Sequence, residues 1–237
     1  MGSDSSRLND GYCGYLLKYG ISLCKYPFMS TSAIFADIHR NRIWNRLGSV
    51  SGDGSVSETV SVLLEHLPLL VKSYGIRSML DIPCGDFTWI SRLSGCGDID
   101  YTGADIVPAI IEENREKSVV ATGGFADIRF LQLDICSDLL PEADLIFCRD
   151  CLVHLSNRRI FRALDNIKRS AAEYLLMTTF PERSKNFNML TGAWRPLNFE
   201  KPPFSLSPPL ELINERYVLR GGRFADKSMA LWRISDL

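Results

Sequence analysis

Between residues 78 and 180, short apolar runs alternate with polar, helix-like stretches, and four successive runs end on an aspartate. "SMLDI" carries Asp81, "DYTGAD" Asp105, "IRFLQLD" Asp134 and "ADLIFCRD" Asp150. A fifth run, "EYLLMTTF", follows "LSNRRIFRALDNIKRS", whose Ile160, Phe161, Leu164 and Ile167 share one helical stripe. Strands alternating with helices pair in parallel, and the helices cover both faces of the sheet. Ligands of such sheets bind outside the carboxyl ends of the strands. The pattern therefore predicts an α/β, doubly wound, mostly parallel sheet with four carboxylates along its ligand-binding edge. Any one of the acids could be a helix N-cap; four in succession favour a site.

The flanking segments complete the expectation. "YGISLCKYPFMSTSAIFADIHRNRIWNRLG" reads as N-terminal helices with Phe35, Ile38, Ile43 and Trp44 on an apolar side. "SVSGDGSVSE" reads as a loop, and its "GDGS" is either a lid over the ligand or a plain connector. Ser57 is placed to cap a helix, "ETVSVLLEHLPLLVKSYG", which stops at Gly75. "DFTWISRLSG" and "VPAIIEENREK" read as further helices, the second with Pro108 in its first turn. After residue 180 come six prolines and four aromatics in a long loop, 181–209, a length that points to function. "LELINERYVL" and "KSMALWRI", joined by "RGGRFAD", read as an antiparallel pair with a tight reversal. The expected organisation is a helical extension and lid over 1–57 and one α/β domain over 58–237, with 181–209 as its substrate loop.

Composition narrows the partners. The chain has 237 residues, 46% of them hydrophobic, and a net charge of −1. No cluster of Lys and Arg suits phosphate neutralisation, so nucleic acid is not the expected partner. No run reaches the ~20 apolar residues of a membrane span, and no signal peptide opens the chain, which leads to a cytoplasmic expectation. Seven cysteines, an odd number spread through apolar segments, suit free thiols in a reducing compartment. Cys148 and Cys151 form a lone CxxC with no second pair and no His pair beside it, so no metal site is expected.

The turn after the first strand says what kind of ligand the edge would take. Asp105 lies 24 residues beyond Asp81, close to the ~20-residue offset at which an acid binds a ribose hydroxyl pair. "DIPCGDF" is not the glycine-rich turn of a dinucleotide site, and Asp86 stands where a pyrophosphate would sit. A carboxylate there repels phosphate and favours a cation such as an ammonium or sulfonium.

The ordered set "LDIPCGDF", "YTGADIV", "FLQLDI" and "DLIFCRDCLVHL" resembles the class I S-adenosylmethionine-dependent methyltransferases over roughly residues 58–180, and the terminal strand pair resembles the hairpin of that family. The resemblance implies a Rossmann-like, seven-stranded sheet with an antiparallel terminal hairpin, and S-adenosylmethionine as cofactor. It implies that Asp81, Cys84 and Gly85 hold the amino acid end. Asp105 would take the ribose with Ile106 beside the adenine, Asp134 and Ile135 would line the adenine edge, and Cys148 and Arg149 would lie where the fourth strand meets cofactor and substrate. Pro83 and Phe87 stand where the family usually has glycines. Asp86, Phe87 and Trp89 are expected to face the methyl-transfer pocket. "CRDCLVHLS" and "TGAWRPLNFEKPPF" resemble more closely a glycan-associated subgroup, including the methyltransferase domain of a chlorella virus multidomain glycosyltransferase.

Methyl transfer to a hydroxyl gains from a general base. His154 follows the fourth strand, four residues after Asp150, and one helical turn would put both on one face. His154 is thus either the base, supported by Asp150, or a packing residue, with Asp150 itself the rival base. Trp194, Arg195 and Asn198 in the long loop combine an aromatic face with donors, as a sugar site requires. The expected function is O-methylation of a small acceptor, foremost a saccharide, by a protein fused to or working with glycosyltransferases. The alternatives are an amine, carboxylate or nucleic-acid acceptor, and a cofactor-binding domain without catalysis.

Overall fold

The computed structural model describes residues 29–44, 57–97, 99–118 and 124–237. Among them, seven strands form one sheet in the order β3-β2-β1-β4-β5-β7-β6. The strands are β1 (Ser78–Asp81), β2 (Asp100–Asp105), β3 (Asp127–Gln132), β4 (Leu145–Cys148), β5 (Tyr174–Thr179), β6 (Glu211–Asn214) and β7 (Ser228–Arg233). The first five pair in parallel, and β7 lies antiparallel to both β5 and β6. Strand order reverses at β1 and β4, so the chain leaves a crevice between their carboxyl ends.

Four helices are described: α1 (Thr31–Arg40), α2 (Ser57–Ser73), α3 (Pro108–Ser118) and α4 (Asn157–Lys168). The central strands are buried on both faces, which is why they read as near-continuous apolar runs rather than alternations. One core layer joins Leu80, Ile146, Leu175 and Trp232 to Ile160, Leu164 and Ile167 of α4. The other joins Met79, Leu145 and Leu176 to Leu63, Leu67 and Leu70 of α2. Gly103 of β2 is required by packing: a Cβ there would come within 2.6 Å of the Phe130 ring on β3. Gly75 ends α2 with a φ of +64°, the left-handed stop expected of it.

Three local expectations fail. "DFTWISRLSG" forms only a 3-10 turn over Ile90–Arg92. Asp86 accepts the Thr88 N–H and Phe87 takes a φ of +58°, and together these divert the backbone before a helix can start. Phe161 leaves the apolar stripe of α4, where Ala163 takes the buried place, and it lies against Phe204 at 5.5 Å instead. The β6–β7 connection is not a tight reversal. It contains a 3-10 turn over Leu219–Gly222 and buries Glu215, Tyr217, Asp226 and Lys227. The segments 1–28 and 45–56, with Cys13, Cys24 and the "GDGS" lid, lie outside the described residues, as does the side chain of Ser57.

Candidate active site

The carboxyl ends of β1, β2 and β4 open into a cleft walled by Asp81, Cys84, Gly85, Asp86, Asp105, Ile106, Asp134, Ile135, Arg149, Asp150 and His154. The sheet therefore brings together most of the residues expected from sequence, including all four strand-end acids. Helix α1 supplies a wall that sequence reasoning did not assign, with Phe35, Ile38, His39 and, just beyond it, Trp44. Their apolar spacing was visible, but nothing local says that this face meets a ligand rather than a core.

Asp81 ends β1, 3% exposed, and its Oδ2 accepts the Tyr101 hydroxyl at 2.6 Å. Its Oδ1 takes no hydrogen bond among the described residues. Burial pushes its carboxyl up to about 7, against the lowering pull of Tyr101 and Arg149. Such a group is completed by a cation. Next to it, Gly85 takes a φ of +56°, and its carbonyl accepts Asn114 Nδ2 at 2.6 Å, so α3 braces the turn. Asp105 Oδ1 accepts the Val107 N–H at 2.9 Å and Oδ2 the Gly85 N–H at 3.3 Å. Each oxygen keeps a lone pair for a hydroxyl. Burial raises the Asp105 carboxyl to about 6 although the Val107, Gly85 and Ile106 N–H groups oppose it. Asp134 lines the same cleft, its Oδ1 accepting the Cys136 N–H at 2.9 Å. These residues fit a cationic nucleoside: an acid for an ammonium, an acid for a ribose, and apolar Ile106 and Ile135 for a flat base.

The β4 end carries a cluster of charged groups. Asp150 has a φ of +53°, and its N–H donates to Thr178 Oγ1 at 2.8 Å. Its carboxylate accepts Lys227 Nζ at 2.5 Å and lies 3.8 Å from Arg149. Burial raises the Asp150 carboxyl, but Lys227 and Arg149 outweigh it and hold the group below the usual range. Arg149 is paired with Glu215 and sits 5.5 Å over the Trp89 ring. Lys227 and Glu215 arrive from the β6–β7 connection, and no signal in the sequence ties them to a strand more than sixty residues earlier.

His154 ends a 3-10 turn, Leu152–His154, and lines the cleft. The pairing expected with Asp150 is not made. His154 Nδ1 lies 2.7 Å from the Ala193 carbonyl, and a carbonyl only accepts, so Nδ1 carries the proton. Nε2 keeps its lone pair. The ring lies against Trp44, with centroids 4.3 Å apart and planes tilted by 34°. Desolvation pushes His154 down to about 4, with Ala193 and Asp150 opposing and Arg195 and Lys227 adding to the drop.

Four expected substrate contacts lie elsewhere. Phe87 is buried against Tyr101 and Phe130, because its left-handed backbone turns the ring into the core, while Trp89 remains on the cleft. Arg195 donates to the carbonyls of Phe187, Val153 and Leu155 and to Asn157. Asn198 donates to the carbonyls of Pro181 and Arg183. Trp194 packs edge-on against Phe180 and Phe224. A long loop without regular structure must satisfy its own backbone, and these side chains do that work. Cys148 is buried in the core behind the cleft, whereas Cys136 and Cys151 line it as free thiols.

An α/β sheet with a reversed terminal strand and an acid-lined switch-point cleft defines a Rossmann-like methyltransferase fold. Residues 79–173 match the family described as "Methyltransferase domain", and the cofactor of that class is S-adenosylmethionine. Among solved structures, PigF with SAH is 15% identical with a TM-score of 0.61, over 97% of this chain and 67% of that one. Magnesium protoporphyrin IX methyltransferase from Synechocystis with bound SAM is 16% identical, TM-score 0.56, over 86% and 96%. Human N-acetylserotonin methyltransferase in complex with SAM is 17% identical, TM-score 0.57, over 97% and 64%. At these identities the likeness is one of fold. The chain spans 66% of the length of a bacterial Hen1 methyltransferase domain. No curated protein matches the chain. Among the described residues, no helix is long and apolar enough to cross a membrane.

Proposed function

We propose that the chain is an S-adenosylmethionine-dependent O-methyltransferase that methylates a hydroxyl of a small acceptor, foremost a sugar of a glycan, with His154 as general base. The observation that carries this reading is the meeting of three groups on one cleft: Asp81, whose Oδ1 has no partner among the described residues, the Asp105 carboxylate and the imidazole of His154. When bound, the cofactor supplies an electrophilic methyl group on a sulfonium. Asp81 accepts its ammonium and Asp105 its ribose hydroxyls. Ile106, Asp134 and Ile135 flank its base. His154 Nε2 takes the proton from the acceptor hydroxyl, and the negative charge of Asp150 favours the resulting imidazolium.

Trp44 and Trp89 support an acceptor with a flat apolar face, since both rings line the cleft. A sugar ring offers such a face, and the resemblance of "TGAWRPLNFEKPPF" to glycan-associated methyltransferases favours it. On that reading the protein works beside, or fused to, glycosyltransferases. The same two rings equally suit a planar aromatic hydroxyl, which is the second reading.

Calorimetric titration with S-adenosylhomocysteine tests the cofactor half, with NADH as control. Binding of ~µM strength is expected, and Asp105→Ala should weaken it by about 1–3 kcal/mol, the worth of hydrogen bonds to a charged group. Indifference to Asp105 would reduce the strand-end acids to caps. Turnover of a panel of glycosides and phenols by wild type and His154→Gln tests the other half. Unaltered turnover in His154→Gln would remove the base.

A further inference from the structure

Both polar groups of Gly85, in the turn after β1, are claimed. Its N–H donates to Asp105 Oδ2 at 3.3 Å, and its carbonyl accepts Asn114 Nδ2 of α3 at 2.6 Å. With a φ of +56° and no side chain, Gly85 would visit many other conformations if neither bond held it. Among the described residues, the other side-chain donor to its carbonyl is the Cys84 thiol at 3.6 Å, a weak one. Asn114 is therefore the group that fixes Gly85 from the α3 side. Packing alone does not account for an asparagine at this place. Asn114 is 0% exposed, on the face of α3 that also buries Ile110 and Ile111. Its Nδ2 reaches Gly85 and, at 3.6 Å, Cys84 Sγ, but its Oδ1 is buried without a partner among the described residues. An unsatisfied buried acceptor costs stability, and such a group in a folded protein calls for a reason. The connection from Asn114 through Gly85 to Asp105 supplies one.

We propose that Asn114 is a positioning residue of the cofactor site: by holding the Gly85 carbonyl it keeps the Gly85 N–H on Asp105, and so keeps the Asp105 carboxylate oriented for the ribose. This rests on the reading of Asp105 as the ribose acid. The terminal torsion of an aspartate is broad, so the plane of its carboxylate is set by what its oxygens accept. Asp105 Oδ1 accepts the Val107 N–H at 2.9 Å, a bond within its own turn. Oδ2 accepts the N–H of Gly85, which is the longer bond and comes from a separate, conformationally free residue. A pair of vicinal hydroxyls needs both oxygens in place at once, and a site fixed in advance loses less on binding. Without Asn114, Gly85 is free to rotate and Oδ2 loses the donor that sets its direction. Lys117, one turn along α3, donates to the neighbouring Asp86 carbonyl at 3.2 Å but is itself exposed, so it does not replace the buried bond.

The test is calorimetric titration of the full chain with S-adenosylhomocysteine, adenosine and 2′,3′-dideoxyadenosine, the last of which lacks both ribose hydroxyls. Asn114→Leu keeps a similar shape without the donor. It should weaken S-adenosylhomocysteine and adenosine about tenfold, the worth of one positioned hydrogen bond, and leave dideoxyadenosine unmoved. A merely structural Asn114 would change all three alike or none. Equal losses, or unchanged adenosine affinity in a folded Asn114→Leu, therefore overturn the proposal. In an Asp105→Ala background Asn114→Leu should have no further effect on S-adenosylhomocysteine, and additive losses overturn it equally. Should Asn114→Leu not fold, hydrogen exchange by NMR on wild type decides. Coupling is reciprocal, so adenosine should slow exchange of the Gly85 N–H and the Asn114 side-chain amide where dideoxyadenosine does not; exchange that ignores the hydroxyls refutes the connection. Wild-type binding of S-adenosylhomocysteine that is indifferent to Asp105→Ala would remove the ribose reading and the proposal with it. Binding that depends on Asp105 and not on Asn114 refutes the role of Asn114 alone.

Discussion

Cofactor affinity should depend on pH through Asp81, and the size of the effect follows from where that carboxyl lies. In the free protein it is 3% exposed and pushed up to about 7 by burial. An ammonium binds the ionised form, so the proton must leave first. Above pH 7 that requirement has little effect. Below it, each pH unit weakens binding about tenfold, or about 1.4 kcal/mol. Between about pH 8 and pH 5 the loss should approach 100-fold from Asp81 alone, by the same arithmetic. Asp105, at about 6, steepens the fall at the acid end by losing an acceptor for ribose. The assay is calorimetric titration of S-adenosylhomocysteine across this range, repeated in buffers of different ionisation enthalpy so that proton release is counted directly. Near pH 6.5 binding should release close to one proton. Tyr101→Phe supplies a signed control. The Tyr101 hydroxyl favours the charged carboxylate, so its removal lets burial raise Asp81 further and moves the midpoint to higher pH. An affinity that stays level from about pH 8 to pH 5.5, with no proton released, would refute Asp81 as the ammonium site.

Two stability predictions separate structure from site. Arg195→Ala removes the side-chain donor from the buried Leu155 carbonyl and from that of Phe187, while Val153 keeps the N–H of residue 195, and should cost about 1–3 kcal/mol in urea unfolding, with S-adenosylhomocysteine affinity unchanged; a weakened affinity in a folded variant would return Arg195 to the binding site. Phe87→Gly sets two effects against each other. Relief of a left-handed non-glycine backbone is worth about 1 kcal/mol, while loss of a ring packed on Tyr101 and Phe130 costs about 3–5 kcal/mol. Net destabilisation is therefore expected, and a more stable variant would mean that Phe87 contributes little to the core.

What the sequence made legible, and what it did not, divides along a physical line. Asp81, Asp105, Asp134 and Asp150 could be placed on one edge because a parallel sheet repeats: every crossover returns the chain to the same side, so the last residue of each apolar run is a spatial coordinate. Loops carry no such coordinate. Trp194, Arg195 and Asn198 have the composition of a sugar site, and that composition is also what a structureless segment needs to satisfy carbonyls and tie itself down; Asn198 bonds the loop's own Pro181 carbonyl, and Arg195 bonds that of Phe187 in the loop and that of Leu155 outside it. Lys227 shows the converse. In "RGGRFADKSM" it looks like any surface lysine, and only the antiparallel return of β7 beside β5 carries it to the end of β4. The spacing of Asp150 and His154 suggested a partnership, and four residues of helix would have made one. The chain instead gives His154 a carbonyl and Asp150 a lysine, an arrangement in which a long-range ion pair overrides a short-range spacing. A local spacing is decided only when nothing farther along the chain makes a stronger claim, and here Lys227, 77 residues away in sequence, makes that claim on Asp150.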